Sequence, residues 1–179
     1  MINFIAYIDF KGLKGEKINL ESNYQNQIRK DFTQSFKNDF VLFKHNGSDE
    51  NFKLCNKKDE KFIVFTTIFE EDRQVLIKKL DVNDDSNIKD SELMLKLYLK
   101  FGESGLQCLS NGFIFILIDL IKENVLAFRD HIGIKNICYF NNGSSIYLSS
   151  SFNNLFNLDN KNFSLNLDKV DKFLSFNDS

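Results

Sequence analysis

The chain has 179 residues, of which 42% are hydrophobic and 27% charged, and its formal net charge is −2. A chain of this length can bury the core of one domain and is too short for two domains of ordinary size. Its near-neutral charge and scattered lysines argue against nucleic-acid and anionic-membrane partners, which would favour a clustered basic face. The odd number of cysteines, Cys55, Cys108 and Cys138, and the absence of a charged-then-apolar leader predict a cytoplasmic location.

The N-terminal half of the chain alternates between predicted strands and helices. Apolar and polar residues alternate from Asn3 to Phe10, which predicts a strand. From residue 21 to residue 37 an apolar side chain recurs every four positions, which predicts an amphipathic helix. Further strands are predicted at residues 39–44, 51–55 and 60–69, and further helices at residues 70–80 and 92–101.

The stretch from residue 106 to residue 156 carries the clearest strand signals. The apolar run at residues 113–118 predicts a strand covered on both faces, and it is far shorter than the roughly 20 residues that cross a membrane. Asn141-Asn142-Gly143 predicts a two-residue hairpin turn, because these residues accept positive φ. The remaining strands of what we expect to be one antiparallel meander lie at residues 125–130, 131–135 and 146–150.

Two layers of strands flanked by helices account for this order, which predicts an α+β sandwich. Residues 106–135 read Leu-x-x-Leu-x-Asn-Gly, an apolar strand, Asp, a turn, Leu-Ala-x-Arg-Asp and x-x-Gly-Ile-Lys. This series resembles the glutaminase domain of asparagine synthetase and its relatives, the class II glutamine amidotransferases. The resemblance implies a four-layer αββα sandwich of the N-terminal nucleophile hydrolase type, with two mostly antiparallel sheets between helices.

The residue at the start of the first strand decides whether glutaminase chemistry is expected. In the family the nucleophile is a cysteine that follows the initiator methionine, and its own α-amino group serves as the base. Position 2 here is Ile2. If the apolar pattern is aligned instead, Asn3 takes the place of the cysteine, and Phe4 follows where the family has glycine. Either alignment predicts that the nucleophile is lost.

Four further positions correspond to a degenerate glutamine pocket. Asn46 stands where the family's His-Arg-Gly-Pro-Asp has the arginine that clamps the glutamine carboxylate, a pair worth about 1.5–3 kcal/mol. Thr66 and Thr67 end the strand where the family has the Asn-Gly-Glu of the oxyanion hole. Asp90 resembles the aspartate that holds the substrate's amino group, and a helix cap formed by Asp90-Ser91 is the alternative role.

Metal binding and a catalytic dyad are not predicted. The two histidines, His45 and His131, and the three cysteines lack the spacing of a zinc site. The acidic stretch that begins at Asp81 lacks the glycine that a calcium loop needs at its sixth position. We expect Arg129 and Asp130 to form a structural pair at a strand end.

The resemblance implies a catalytically inactive glutaminase-like domain of an asparagine synthetase-related, ATP-dependent amide-forming protein, with a structural, interface or channel-shaping role. Residues 1–166 would form this domain, and residues 167–179 would begin a linker toward a synthetase (ATP-pyrophosphatase) domain. ATP and Mg are implied for that domain, because this chain has no phosphate-binding loop and we predict no cofactor in it. Its expected partners are the synthetase domain, in the same longer chain or in another, and a second copy in a homodimer.

Two alternatives remain open. The degenerate pocket could serve a binding module for a peptide or a small metabolite. The resemblance also extends to lasso-peptide cyclases and β-lactam synthetases, which carry amide-forming ATP chemistry beside a glutaminase domain without the cysteine.

Overall fold

Two antiparallel sheets face each other in a computed structural model that describes residues 2–9, 32–37, 41–57, 59–82, 88–141, 143, 145–156 and 166–175. The first sheet contains β1 (Phe4–Ile8), β2 (Gln34–Lys37), β3 (Val41–His45), β8 (Cys138–Asn141) and β9 (Ile146–Ser149), in the spatial order β2-β3-β1-β9-β8. The second sheet contains β4 (Phe52–Lys57), β5 (Glu60–Thr67), β6 (Ile114–Asp119) and β7 (Asn124–Arg129), in the order β4-β5-β6-β7.

Large aromatic side chains fill the layer between the sheets. Side chains alternate between the two faces of a strand, so Phe4 and Phe43 of the first sheet point toward Phe65 of the second. The ring of Phe65 lies 5.2 Å from the ring of Phe4 and 5.2 Å from the ring of Phe43. All three side chains are fully buried, so each contributes about 1.5–3 kcal/mol through removal from water.

Helices cover the outer face of the second sheet. They are α1 (Glu70–Leu80) and α2 (Asp90–Phe101), whose Leu76, Leu93 and Leu97 pack on that sheet. Two shorter helices, α3 (Phe152–Phe156) and α4 (Leu167–Ser175), follow β9 along the chain, and 3-10 turns lie at Asp49–Asn51 and Gly102–Cys108. The predicted fold class is confirmed: two antiparallel sheets with helices make an α+β fold compatible with the four-layer sandwich.

The strand predicted from the apolar run is confirmed as β6, which lies between β5 and β7. All six of its residues are buried, since one face meets the first sheet and the other meets α2. The predictions for β5, α1 and α2 are also confirmed, with bounds that shift by at most two residues. None of the helices in the described ranges is long and apolar enough to cross a membrane.

The prediction of one continuous meander is wrong, because its strands divide between the two sheets. β6 and β7 pair in the second sheet, whereas β8 and β9 pair in the first. The segment 131–135 between them was expected to be a strand, and it is a loop. The Asp130 carboxylate accepts hydrogen bonds from the N–H groups of Gly133 (2.6 Å), Ile134 (2.8 Å) and Lys135 (3.0 Å), so these donors cannot join a sheet.

The expected pair of Arg129 and Asp130 is also absent from the described ion pairs, since the Asp130 carboxylate is occupied by backbone donors. Burial acts to raise the pKa of Asp130, but the hydrogen bonds from Lys135, Ile134 and Gly133 together hold it below its usual value. Asp130 therefore organises the loop rather than neutralising an arginine.

Two local predictions need correction. The prediction of a helix over residues 21–37 is wrong at its C-terminal end. There β2 pairs with β3, and the ring of Phe36 lies 6.1 Å from the ring of Phe52. Residues 21–31 lie outside the described ranges. The hairpin between β8 and β9 has four connecting residues, 142–145, instead of two. Gly143 has the expected positive φ of 89°, and its N–H donates to the Asn141 side chain at 2.8 Å.

Candidate functional site

The start of β1 lies beside the loop that follows β3, at one end of the sandwich. The backbone N–H of Asn46 donates to the carbonyl of Asn3 at 3.1 Å, and the Asn46 side-chain oxygen accepts the N–H of Asn3 at 2.7 Å. The structure therefore brings two of the predicted site positions, Asn3 and Asn46, into direct contact. The Asn46 side chain is used to tie the two backbone segments together.

Ile2 packs against the core between the two sheets. A Cβ added to Gly47 would lie 3.2 Å from the Ile2 side chain and 2.7 Å from the Asn51 oxygen. A side chain at position 47 would therefore require the Asn51 amide to shift, and that amide accepts the N–H of Ser48 at 3.0 Å. The aliphatic side chain of Ile2 thus fills the space between the start of β1 and the loop that follows β3.

Serines at the end of β9 complete this corner. The Ser150 hydroxyl accepts a hydrogen bond from the backbone N–H of Phe4 at 3.2 Å and donates one to the Asn3 side-chain oxygen at 3.3 Å. The Ser149 hydroxyl donates to the carbonyl of Phe4 at 3.0 Å. In the sequence these two residues are visible only as a run of small residues that ends the strand. Their partners in β1 lie more than 140 positions away, so local patterns do not indicate the contact.

Thr66 and Thr67 point to opposite faces of the second sheet because they are neighbours in β5. Thr66 is fully buried, and its hydroxyl donates to the carbonyl of Ile114 at 2.6 Å. Thr67 is 4% exposed and continues the row of Ile63 and Phe65 that faces the first sheet. Its hydroxyl has no hydrogen-bond partner among the described residues. The two threonines therefore do not line one pocket.

Asp90 forms an ion pair with Arg73 of α1. The second guanidinium nitrogen of Arg73 donates to the carbonyl of Ile88 at 2.7 Å, which holds the arginine across the start of α2. Burial raises the pKa of Asp90, the arginine opposes this, and the charges of Glu50 and Glu70 add to the increase. The predicted cap role is wrong, because α2 begins at Asp90 itself and Lys89 occupies the N-cap position.

The described contacts divide the predicted site into separate groups. Asn3 and Asn46 are bonded to each other in the first sheet, whereas Asp90 is bonded to Arg73 in the helix layer. The 3-10 turn at Asp49–Asn51 lies between these groups, and Glu50 is near enough for its charge to act on Asp90. The residues predicted for the degenerate pocket therefore do not form one cluster of bonded side chains.

His45 is a buried side chain whose environment the sequence did not indicate. It ends β3 and is 2% exposed, and its ring lies 5.2 Å from Phe52 and 5.4 Å from Phe65. Burial lowers the pKa of His45, because charging the ring in an apolar environment is unfavourable, and a backbone hydrogen bond with Gly47 and the charge of Asp49 oppose this only in part.

Asp72 is a second residue that sequence reasoning missed. It is fully buried in α1, and its carboxylate accepts the backbone N–H groups of Ser110 at 3.1 Å and Asn111 at 3.2 Å. These contacts fasten the Ser110-Asn111-Gly112 loop that leads into β6. No cluster of three His, Cys, Asp or Glu side chains in the described ranges could hold a metal ion.

A protein-family model described as a glutamine amidotransferase domain matches residues 40–179. The matched range contains Asn46, Thr66, Thr67 and Asp90, and Ile2 and Asn3 lie outside it. None of the curated proteins matches the chain. The family match covers well over half of the 179 residues and agrees with a fold of two facing antiparallel sheets with helices. The chain therefore belongs to the glutamine amidotransferase domain family.

Proposed function

We propose that this chain is a glutaminase-like domain without glutaminase activity, from an asparagine synthetase-related, ATP-dependent amide-forming protein. The observation that supports the proposal is the packing of Ile2 against the core beside Gly47, since Ile2 in this proposal takes the position of the family's nucleophile. A hydrocarbon side chain has no lone pair to attack the glutamine amide and no proton for the α-amino group to remove. Asn3, the alternative position, is an amide and is equally unreactive.

The lack of a carboxylate clamp supports the proposal. Asn46 is neutral, and its oxygen accepts the backbone N–H of Asn3. An amide side chain cannot form the bidentate, charge-assisted pair that arginine makes with a carboxylate. Glutamine would therefore bind here without the interaction that orients its α-carboxylate.

The state of Asp90 supports the proposal as well. Its carboxylate is already paired with the Arg73 guanidinium, which is anchored on the carbonyl of Ile88 at 2.7 Å. A substrate ammonium would have to displace this guanidinium, and the displaced charge would need a new partner in a largely buried position. The proposed site thus lacks a free acid for the substrate's amino group.

In this proposal the domain shapes or stabilises a synthetase domain, in the same longer chain or in a partner chain. ATP and Mg would bind that domain, which would use free ammonia or an amine already present on its substrate. A cytoplasmic location is part of the proposal, since Cys55, Cys108 and Cys138 are free thiols.

Glutamine-dependent ammonia release by the purified chain tests the loss of activity. We expect no ammonia above the level of a reaction without glutamine, and the Asp90→Ala variant should give the same baseline. Ammonia release by the wild-type chain that Asp90→Ala abolishes would overturn the proposal, because a contaminating glutaminase would be indifferent to that substitution.

Covalent labelling provides an independent test. A diazoketone analogue of glutamine alkylates a nucleophile that lies within the glutamine pocket. After incubation we expect the intact mass of the chain to be unchanged. An adduct that forms on one residue and is prevented by excess glutamine would contradict the assignment of an inactive pocket.

A second candidate function, a small-metabolite binding module, is favoured by a buried polar atom that has no hydrogen-bond partner among the described residues. This is the Thr67 hydroxyl, which continues the row of Ile63 and Phe65 that faces the layer between the sheets. Buried polar groups are usually hydrogen-bonded, so such atoms are candidates for ligand contacts. Thermal-shift measurements with glutamine, asparagine and aspartate test this function. A rise in Tm that Thr67→Val removes would support it, and the absence of any shift would contradict it for these ligands.

A further inference from the structure

One edge of the second sheet is formed by β7, which pairs only with β6 in the part of the chain that the structure describes. The N–H of Asp130 donates to the carbonyl of Phe113 at 3.2 Å, and these two residues continue the register of the two strands. Bonding residues alternate along an antiparallel pair, so every second residue back from Asp130 bonds to β6. The N–H and C=O groups that point away from β6 therefore belong to the β7 edge, which consists of Val125, Ala127 and Arg129.

The side chains of β7 are only partly covered by the rest of the protein. Leu126 and Phe128 lie at the margin of the core under the helices, and Val125 lies at the margin of the core between the sheets. All three are partly exposed, whereas every residue of the neighbouring strand β6 is buried. A strand added beside β7 would remove apolar surface from water on both faces of the sheet.

The β7 edge lacks the features that usually keep an edge strand from pairing. Such strands are commonly protected by lysine, by proline or by a bulge. Residues 124–128 contain neither lysine nor proline, and the register with β6 is continuous along the whole strand. The other edge of the same sheet, β4, carries Lys53 and Lys57. Of these two edges, β7 is the one that is open to a further strand.

The last residue of the β7 edge adds a charge. Arg129 is exposed, and its side chain has no ion pair or hydrogen bond with the residues that the structure describes. Its guanidinium lies beside the loop at residues 131–135, since a Cβ added to Gly133 would be 3.5 Å from the Arg129 Nη1. The nearby Asp130 carboxylate is occupied by backbone donors of that loop. A guanidinium at this position favours an acid in the segment that pairs with β7.

We propose that the β7 edge binds an extended segment of a partner protein, which adds an antiparallel strand beside β7 and places an acidic side chain opposite Arg129. All described strand pairs of this fold are antiparallel, so the segment runs opposite to β7. The acid then comes first along the segment, and apolar side chains follow opposite Ala127 and Val125. Main-chain hydrogen bonds supply the affinity, and the acid selects the register.

Charge distinguishes this partner from a second copy of the chain. If two β7 strands pair antiparallel through their free edges, the residue opposite Arg129 is Val125, Ala127 or another Arg129. Glu123 does not extend this choice, because it precedes the strand in a turn with a positive φ of 52°. Both guanidinium groups of such a dimer would lack an acid, whereas an acidic segment supplies one.

A synthetic peptide tests the proposal on the whole chain. The probe is acetyl-Glu-Val-Val-Thr-Val-Thr-Lys-amide with a fluorescent label on the lysine, and its first, third and fifth residues lie opposite Arg129, Ala127 and Val125. We expect saturable binding in fluorescence anisotropy. Amide shifts in NMR spectra of the ¹⁵N-labelled chain should centre on the β7 edge. The absence of saturable binding up to about 1 mM, or shifts centred on β4 or β8, would overturn the proposal.

Two N-methylated peptides separate strand addition from simple apolar contact. N-methylation of the third residue removes an N–H that bonds to Ala127, whereas N-methylation of the fourth removes an N–H that points away from β7. We expect the first peptide to bind at least about tenfold more weakly and the second to bind within about twofold of the probe. Equal losses for the two peptides would overturn the proposal.

The acid is tested with Arg129→Gln. This variant should bind the probe about fivefold more weakly, and should bind a peptide with glutamine in place of the glutamate as wild type does. Lys122→Gln, at an 80% exposed site in the turn before β7, is the control with the same loss of charge and should bind the probe normally. Circular dichroism checks that both variants keep their fold.

Three outcomes of these measurements would overturn the assignment of the partner. Arg129→Gln could weaken both peptides equally, or the two variants could weaken the probe equally, and either result would remove the role of the acid. A chain that dimerises without peptide, with the amides of the β7 edge protected from hydrogen exchange, would make a second copy the occupant.

Discussion

Adjacent threonines in β5 allow one substitution to be compared in two environments. Thr66 and Thr67 are both buried, at 0% and 4% exposure, and both lie in the same strand. The Thr66 hydroxyl donates to the carbonyl of Ile114 at 2.6 Å, whereas the Thr67 hydroxyl has no partner among the described residues. Replacing each with valine removes a hydroxyl and adds a methyl group of similar size. We expect the two changes in stability to have opposite signs.

The magnitudes follow from the hydrogen bonding. An unpaired buried hydroxyl costs about 1–3 kcal/mol, so Thr67→Val should raise the free energy of unfolding by about 1–2 kcal/mol. A bonded hydroxyl contributes about 0.5–1.5 kcal/mol, so Thr66→Val should lower it by about 1 kcal/mol. The preference of valine for strands acts on both variants alike and cancels in their difference. That difference should be about 2–3 kcal/mol.

Urea denaturation measures the free energy of unfolding of both variants under the same conditions. The slope of the unfolding free energy against urea should stay constant, so that the change appears in the midpoint. Thermal unfolding should separate the two variants by about 4–12 °C for a chain of this size. If Thr67→Val destabilises the protein as much as Thr66→Val does, the Thr67 hydroxyl has a partner such as a buried water, and the reasoning is refuted.

Three further predictions concern buried charges and pH. Burial lowers the pKa of His45 in the folded protein below its ordinary value of about 6.5. The free energy of unfolding should therefore be unaffected by this group above pH 6.5. It should decrease as the pH falls from there toward the folded-state pKa, by at most about 1.4 kcal/mol per pH unit. Urea midpoints across this pH range should fall more steeply for wild type than for His45→Phe, and parallel curves would contradict the prediction. Asp72→Ala removes the acceptor of the Ser110 and Asn111 N–H groups, and the loss of these hydrogen bonds to a charged group should cost about 1.5–3 kcal/mol in urea denaturation. The exposed Asp168→Ala should change stability by less than about 0.5 kcal/mol. Arg73→Met should lower the free energy of unfolding by about 1.5–3 kcal/mol, because it leaves Asp90 unpaired. Adding Asp90→Asn should recover most of that loss, and equal stability of the single and double variants would contradict the prediction.

Local periodicity predicted the elements whose burial follows their own sequence. The apolar run of β6, the β-branched and aromatic residues of β5 and the helical pattern of α1 and α2 were all recognised, because alternation and 3.6-residue periodicity depend on one segment alone. The motif order between residues 106 and 135 also indicated the family, which the match to residues 40–179 supports.

The same local patterns failed where a distant partner decides the conformation. The residues of β2 carry an apolar spacing that suits a helix, but pairing with β3 makes them a strand. Residues 131–135 have strand-like composition, but the Asp130 carboxylate takes up three of their N–H groups. Propensity is weak beside such contacts, which sequence periodicity does not contain.

For the candidate site, the sequence determined which chemical groups are present, and the tertiary structure decided what each group contacts. That position 2 is isoleucine and position 46 is asparagine is visible in the sequence, and neither side chain is a nucleophile or carries a charge wherever the residues lie. The pairing of Asp90 with Arg73 follows from the packing of α1 against the start of α2. The packing of β6 against β5 gives the Thr66 hydroxyl a carbonyl partner, whereas the Thr67 hydroxyl has none among the described residues. A sequence specifies functional groups, but solvent exclusion and hydrogen-bond partners come from segments brought together by folding, and these set the charge state and the free energy of each group.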